Sequence, residues 1–356
     1  MPLTRAPREA PGSPGTRAAS LQRLPGLSRT YRHLLSLYPL AVEQLDVTSY
    51  DLVISSHFSV AHGVLTRPGQ VHVSYVHSPM RYAWDLQHEY LREAGLAAGP
   101  LSWIARLMLH RARLWDFAAA QRPDAVAANS RFVAQRIRRC HRRAARVIHP
   151  PVATGSFAPA ERSRDAPYVS VGRLVPYKRT ELVARAFAQM PHRRLVIVGD
   201  GPEMTKVAAL RAPNIEVRGH QPTAAVRAAL AGARAYVFAG IEDFGITAVE
   251  AQAAGTPVIA YREGGLAETV RGPEHARPTG LFFAEQTVDA VISAVDRFER
   301  EEARITSQNC VANAARFSEA QFRRGFSAFV EDALNQHRGD APTRSDVADD
   351  LLETVS

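Results

Sequence analysis

Two glutamates flank a glycine-led turn in the segment from 240 to 265, GIEDFGITAVEAQAAGTPVIAYREGG. Glu242 and Glu250 are eight positions apart, and eight steps of about 100° leave about 80° between them around a helix. We therefore expect Glu242 in a loop and Glu250 inside the helix that follows. A carboxylate can accept several hydrogen bonds, which suits the neighbouring hydroxyls of a ribose or a hexose. A helix glutamate that is merely solvated is the alternative interpretation of Glu250.

The start of that helix suits an anion. Gly245, Ile246 and Thr247 form its first turn, so their N–H groups have no partner within the helix and lie at its positive end. Strand-to-helix turns of this kind bind phosphate groups in many α/β proteins. The segment therefore predicts an anion held between two carboxylates.

Two further turns bear on the kind of ligand. In VGRLVPYKR, Arg173 and Lys178 flank the turn after Gly172, and a planar arginine fork with a compact ammonium can hold a diphosphate from two sides. Taken alone, this turn would be a loop with two solvated cations. In VIVGDGPEM, Met204 stands where the dinucleotide fingerprint requires its third glycine, which disfavours an NAD-dependent dehydrogenase.

These turns must be positioned by a sheet. Short apolar runs alternate with longer helical ones, a pattern typical of parallel strands covered on both faces. The predicted strands are 51–56, 71–77, 125–129, 146–150, 168–172, 194–199, 215–219, 235–240 and 257–261. We therefore predict an α/β protein with a doubly wound unit in each half.

The chain, 356 residues and 46% hydrophobic, is too long for one ordinary domain. The predicted domains are a disordered segment 1–19, a first α/β domain 20–155, a linker 156–167, a second α/β domain 168–317, a helix 318–336 and a disordered tail 337–356. The sequence has no apolar run of spanning length and no export signal, so we expect a cytoplasmic location. Its two cysteines fit a reducing compartment. No Asp-any-Asp triplet occurs, so no metal site is expected.

Positive charge is concentrated in the first half. Residues 1–155 carry 20 arginines and 9 acidic side chains, whereas the remainder carries 24 basic and 26 acidic ones. The densest stretch runs from Arg131 to Arg146. It could be a solvated helix face, a surface attracted to anionic lipid, or a nucleic-acid contact. No nucleic-acid motif accompanies the charge, so we expect no nucleic-acid partner.

Four segments of the second half, GRLVPYK, VIVGDGPE, EDFGITAVEAQAAGTPVIAY and EGGLAETV, closely resemble the donor half of the retaining glycosyltransferases of family 4. SYVHSPMRYAWDLQHEYL, ANSRFVAQRI and VIHPPV extend the resemblance into the first half, over about residues 20–335, and are most similar to bacterial mannosyltransferase-like members. The resemblance implies the GT-B fold, in which two Rossmann-like domains face each other across a cleft. The family's usual opening strand and glycine-rich turn have no match in residues 1–19, so the first domain is expected to lack its initial strand and helix.

Roles for the matched residues follow from the resemblance. Arg173 and Lys178 correspond to the basic pair that binds the donor diphosphate, and 245–247 to the backbone phosphate cradle. Glu242 corresponds to the glutamate at the donor sugar, and Glu250 to the one that binds the nucleotide ribose.

One further residue is implied in the first half. His77 corresponds to a histidine that faces the donor sugar across the cleft, although the chain holds 13 histidines and a structural role is the alternative.

The implied reaction moves a hexose, with mannose expected, from a nucleotide-sugar to a glycan or lipid-linked acceptor, with retention and without a metal. A GDP-sugar is expected over a UDP-sugar, with no other cofactor. The basic half suggests peripheral placement at an anionic membrane surface, on its inner face. Two alternatives remain open: a nucleotide-sugar epimerase of the same fold, and a truncated, non-catalytic nucleotide-binding remnant.

Overall fold

Two parallel sheets organise the chain in its computed structural model, which describes residues 37–160, 163–210 and 212–340. One compact unit consists of residues 37–129, 133–147 and 327–340. The other consists of residues 130–132 and the described residues between 148 and 326. The predicted disordered segment 1–19 lies outside the described residues, as does the predicted tail beyond residue 340.

The first unit contains a four-stranded sheet in the order β1-β2-β3-β4, with every neighbouring pair parallel. Its strands are β1 Leu52–His57, β2 Val71–Val76, β3 Ala125–Ala128 and β4 Arg146–Val147. Its helices are α1 Tyr38–Glu43, α2 Gln87–Glu93, α3 Pro100–Ala119 and α4 Arg131–His141. Every residue of β2 is buried, and Val133 and Ile137 of α4 pack in a cluster with β2 and β3. Among the described residues, β1 forms the edge of this sheet.

The second unit contains a six-stranded parallel sheet in the order β10-β9-β8-β5-β6-β7. Its strands are β5 Tyr168–Val171, β6 Leu195–Val198, β7 Ile215–Val217, β8 Tyr236–Phe238, β9 Val258–Tyr261 and β10 Gly280–Phe283. Its helices are α5 Thr180–Ala188, α6 Met204–Ala209, α7 Thr223–Ala231, α8 Ile246–Ala253, α9 Leu266–Thr269, α10 Val288–Glu301 and α11 Ser307–Ala314. A final helix, α12 Glu319–Asp340, contributes residues to both units.

Alternation along the strands of the second sheet explains its two covered faces. In β6, Leu195 and Ile197 pack into the cluster that holds α5 and α10, whereas Val196 and Val198 pack into the cluster that holds α7 and α8. Because successive side chains of a strand point to opposite faces, a continuous apolar run fills a core on each side. The prediction of a parallel sheet covered on both faces is confirmed here.

All nine predicted strands are present, but the prediction omitted β10. The predicted linker 156–167 falls inside the second unit, and its described residues form no strand and no helix beyond the end of a short 3₁₀ turn at Thr154–Ser156. The predicted final helix 318–336 continues to Asp340. No helix in the described part of the chain is both long and apolar enough to cross a membrane.

Candidate functional site

The candidate site lies where the second sheet changes direction. From β5 the chain proceeds to β6 and β7 on one side, and from β8 it proceeds to β9 and β10 on the other. Because β5 and β8 are neighbours, the turns that leave their carboxyl ends diverge and open a crevice. Open α/β sheets bind ligands at such a switch point.

The turn after β5 brings a lysine to this crevice. It passes through Gly172 and a short 3₁₀ turn, Pro176–Lys178, before α5 begins. Gly240, at the end of β8, lies directly against it, since a Cβ at 240 would stand 2.5 Å from the carbonyl oxygen of Tyr177. Glycine at position 240 therefore lets the two turns meet backbone to backbone.

Lys178 and Glu242 form an ion pair across the crevice. The Nζ of Lys178 lies 3.0 Å from Oε1 of Glu242, and the two side chains are 19% and 23% exposed. Each is thus mostly sheltered yet open to a ligand. Arg173 is exposed, and its guanidinium makes no hydrogen bond or ion pair within the described residues. The structure therefore places Lys178, which is paired, and Arg173, which has no partner among the described residues, on the same turn.

The turn that carries Glu242 is fixed by its backbone and by an aromatic anchor. Glu242 forms a parallel bridge with Gly264, and its carbonyl oxygen accepts a 2.7 Å hydrogen bond from the N–H of Gly265. Phe244 is buried and packs against Val249 and its neighbours. Glu242 therefore stands on a rigid turn, as a catalytic or binding carboxylate requires.

Helix α8 begins immediately after this turn. Gly245 precedes it with φ +88°, a conformation that favours glycine, and a Cβ at that position would stand 2.4 Å from the side chain of Leu266. The N–H groups of Ile246 and Thr247 belong to the first helical turn and have no intrahelical acceptor. The predicted anion position is therefore adjacent to Glu242.

Glu250 lies one turn further along α8 and is partly buried. Burial raises the pKa of its carboxyl above the ordinary value, and the positive charge of Arg227 on α7 opposes that rise. Burial also raises the pKa of Tyr236 well above its usual range, with further contributions from Glu242 and Glu250. The negative charges of the two glutamates thus both raise the pKa of one buried tyrosine of β8.

Tyr236 and Arg227 were missed by sequence reasoning. Tyr236 is buried in β8 and its hydroxyl lies 3.4 Å from the carbonyl oxygen of Val171, so in the sequence it looks like any strand aromatic. Arg227 looks like a solvated helix cation, but its Nε is buried without a partner among the described residues. No pattern in the sequence distinguishes them, because Tyr236 lies inside an ordinary apolar strand and Arg227 lies on α7, whose packing in one cluster with α8 the sequence does not show.

His77 lies in the first unit, directly after β2. Its Nε2 is 3.0 Å from the hydroxyl of Ser56, its N–H donates to the carbonyl of His57 at 2.7 Å, and its own carbonyl accepts from Asn129 at 3.0 Å. These contacts fix its position at the carboxyl end of the first sheet. Its role as a group that faces the donor sugar stays a prediction.

No group of three or more histidine, cysteine or carboxylate side chains is placed to hold a metal ion in the described ranges. At the switch point, Arg173, Lys178 and the N-terminus of α8 contribute positive charge. They suit a ligand that brings two adjacent negative charges.

Comparison with known proteins identifies the chain. Residues 155–317 match the family model described as Glycosyl transferases group 1, and residues 4–156 match Glycosyltransferase Family 4. A D-inositol 3-phosphate glycosyltransferase of Mycobacterium leprae is 32% identical over 230 residues, which cover 54% of this chain and 51% of that protein. Its counterpart in Mycobacterium tuberculosis is 29% identical over 237 residues, covering 58% of this chain and 48% of the relative. The chain spans about half the length of these curated relatives.

Solved structures share the fold. A sucrose-phosphate synthase from Thermosynechococcus elongatus superimposes with a TM-score of 0.66 at 22% identity, covering 84% of this chain and 79% of that one. Anabaena HepE in complex with UDP-glucose gives a TM-score of 0.56 at 17% identity, covering 74% and 72%. With glycosyltransferase models matched in both halves and this fold, the chain belongs to the family 4 glycosyltransferases.

Proposed function

We propose that the protein is a retaining glycosyltransferase that moves a hexose from a nucleotide-sugar to a glycan or lipid-linked acceptor. The observation that carries this proposal is the pairing of Lys178 with Glu242 at the switch point, 3.0 Å apart, beside the N-terminus of α8. A diphosphate needs cations and free N–H groups, a sugar needs a fixed carboxylate, and both requirements are met within two adjacent turns.

In this proposal the donor diphosphate lies against Lys178, Arg173 and the N–H groups of residues 245–247. Glu242 contacts the transferred sugar, and Glu250 binds the ribose. The bond from the sugar's anomeric carbon to the diphosphate breaks as the acceptor oxygen forms its bond on the same face, and the acceptor's proton passes to the departing diphosphate. The two side-chain cations stabilise the negative charge that develops on the leaving group.

The nucleotide and the sugar are a separate part of the proposal. The resemblance implies GDP-mannose, whereas the solved structures of HepE are described with UDP and with UDP-glucose, so a preference for GDP has no support. We therefore propose a nucleoside diphosphate sugar, with UDP-sugars tested first. Metal independence also belongs to this proposal, and a chelator should leave turnover unchanged.

Titration calorimetry with UDP and with GDP tests the binding site. Lys178 and Lys206 are the only lysines of the chain, and Lys206 is paired with Glu181 and Glu203 on the surface, so it is a matched control. Losing a charge-assisted contact costs about 1.5–3 kcal/mol. We expect Lys178→Met to weaken binding of the preferred nucleotide about 10- to 100-fold, and Lys206→Met to leave it unchanged.

Product analysis then tests the reaction. Transfer of labelled sugar to a lipid-linked or glycan acceptor identifies a transferase, and a nucleotide-sugar of changed stereochemistry identifies an epimerase. Nucleotide binding without either product, across a panel of UDP- and GDP-sugars, would establish a non-catalytic remnant. Equal binding by the Lys178→Met and Lys206→Met variants would remove the switch point from the assignment.

A further inference from the structure

An exposed apolar surface at the start of α3 has no role in the proposed reaction. Leu101, Trp103, Ile104, Leu107 and Met108 are all exposed, Trp103 to 78%. No charged residue occurs between Ala94 and Ala105. We name residues 96–108 the α3 tip. Exposed apolar side chains grouped in this way indicate an interaction surface.

The geometry of α3 continues this surface along one side of the helix. Trp103, Leu107 and Leu114 lie within about 40° of one another around the axis, and all three are exposed. On the inner side, Ser102, Asp116 and Ala119 are buried, and Leu109 and Trp115 are partly buried. The outward face therefore presents large apolar side chains to solvent, where an ordinary surface helix presents polar ones.

The charges on α3 indicate what this face meets. Its cationic side chains are Arg106, Arg111 and Arg113. Arg111 is exposed on the outer side and makes no hydrogen bond or ion pair within the described residues. The sole acidic residue of the helix, Asp116, is buried, with its carboxylate against His141, His62 and Trp84. The exposed charge of α3 is therefore entirely positive.

The arginine-rich helix α4 lacks this combination. Its Arg136 is buried and paired with Asp85, and its exposed side chains, including Arg138 and Arg139, are polar. It can add to an electrostatic attraction, but it presents no apolar side chain comparable to Trp103. Of these two helices, α3 is the one that combines an uncharged tip with an exposed tryptophan and, further along, arginines, as helices at a lipid–water interface do.

We propose that the α3 tip inserts into the surface of an anionic membrane, with Trp103 and Leu107 among the lipid headgroups and Arg111 against lipid phosphates. A second copy of the chain would cover the apolar residues but would bring the same arginines into opposition, whereas anionic lipid complements them. This inference rests on the proposed action at a lipid-linked acceptor. Lipid binding is measured without donor or acceptor, so its failure is distinguishable from failure of the transferase assignment.

Tryptophan fluorescence gives a direct readout. The chain has three tryptophans, and two of them are held inside the first unit, where Trp84 donates to Asp116 at 2.7 Å and Trp115 donates to Glu43 at 2.9 Å. We expect vesicles of phosphatidylglycerol mixed into phosphatidylcholine to shift the emission of the full chain to shorter wavelength. In Trp103→Phe this shift should disappear.

Vesicle sedimentation separates the apolar and the electrostatic contributions. The double variant Trp103→Ser, Leu107→Ser should bind at least about tenfold more weakly, since it removes two side chains from the apolar phase. Leu65→Ser is the matched control, because Leu65 is also exposed but lies outside α3. Arg111→Glu should weaken binding about fivefold for each unit of charge changed, and more than Arg138→Glu does on α4.

Three results would overturn the proposal. The first is unchanged vesicle binding by the double variant while it keeps the circular dichroism and melting temperature of the wild type. The second is equally tight binding of the wild type to vesicles of pure phosphatidylcholine. The third is a wild-type dimer that becomes monomeric in the double variant at sedimentation equilibrium. The third result would assign the α3 tip to self-association. Nucleotide affinity, measured by calorimetry on the same variants, should not change.

Discussion

At the scale of single residues, the ion pair between Lys178 and Glu242 implies a competition. A donor diphosphate that binds Lys178 must draw its ammonium from the Glu242 carboxylate, which is then available to the sugar. The pair therefore neutralises Lys178 when no diphosphate is bound, and part of the free energy of diphosphate binding is used to break it. Nucleotide affinity and turnover should respond differently when the carboxylate is neutralised.

Glu242→Gln tests this competition. The amide keeps the size of the side chain but removes the charge that holds Lys178, so we expect UDP or GDP to bind as tightly as in the wild type or more tightly. Sugar transfer should fall about 100-fold or more, as when an electrostatic group at a reacting centre is removed. Calorimetry and a transfer assay measure the two quantities, and Glu285→Gln, at an exposed site, is the control. Weaker nucleotide binding with unchanged turnover would contradict the assignment.

At the scale of elements, the glycine-rich turns after β5 and β6 pack backbone to backbone. A Cβ at Gly199 would stand 1.8 Å from the carbonyl oxygen of Gly172, and one at Gly201 would stand 2.3 Å from that of Leu174. Hydrogen bonds run between the same turns, from Gly172 to Val198 at 3.0 Å and from Leu174 to Asp200 at 2.9 Å. The second turn therefore supports the first, although it fails the dinucleotide fingerprint.

Gly199→Ala should consequently destabilise the second unit and weaken nucleotide binding together. The added methyl group meets backbone, which cannot move aside as a side chain can, so we expect a loss on the order of 3 kcal/mol in the free energy of unfolding. Gly155→Ala is the matched control, because a Cβ there meets no atom within 4 Å. Urea denaturation measures the loss, and equal stability of the two variants would contradict the backbone contact.

The elements also show what the sequence could predict. The runs VISS of β1 and LVIV of β6 contain β-branched residues, and the sequence predicts both strands. Strand β10, GLFF, contains no β-branched residue, and the sequence does not predict it. Helix α11, SQNCVANA, lacks a clear apolar period, and its sequence signal is the N-cap Thr306, which accepts a hydrogen bond from Asn309 at 3.1 Å. Strand order could not be predicted, because it depends on pairings between distant segments, and the pairing of β5 with β8 is what brings Lys178 to Glu242.

At the scale of the whole molecule, we expect the two units to respond to different agents, the first to pH and the second to nucleotide. The first unit buries a histidine network in which Nε2 of His72 lies 2.9 Å from the Ser55 hydroxyl, and Nε2 of His57 lies 3.0 Å from that of Ser74. Burial lowers the pKa of His72 to about 4 and lowers the pKa of His57 well below its ordinary value. The second unit holds the proposed nucleotide site.

Calorimetric unfolding should therefore resolve two transitions that move independently, since each unit has its own sheet and core. A histidine whose pKa is lowered in the folded state takes up its proton more readily when unfolded, so stability falls as the pH drops from about 6.5 towards 4. At pH 5 the loss from His72 alone is about 2 kcal/mol. We expect acidification from pH 7 to 5 to lower the transition of the first unit.

The preferred nucleotide should raise the other transition, by about 2.7 kcal/mol of stability at 100 times its dissociation constant. Two variants assign the transitions. His72→Gln should reduce the acid response without altering the nucleotide response, and Lys178→Met should do the reverse. A single transition that moves with both agents would contradict independent unfolding of the two units. A nucleotide shift of undiminished size in Lys178→Met would contradict the placement of the nucleotide at the switch point of the second sheet.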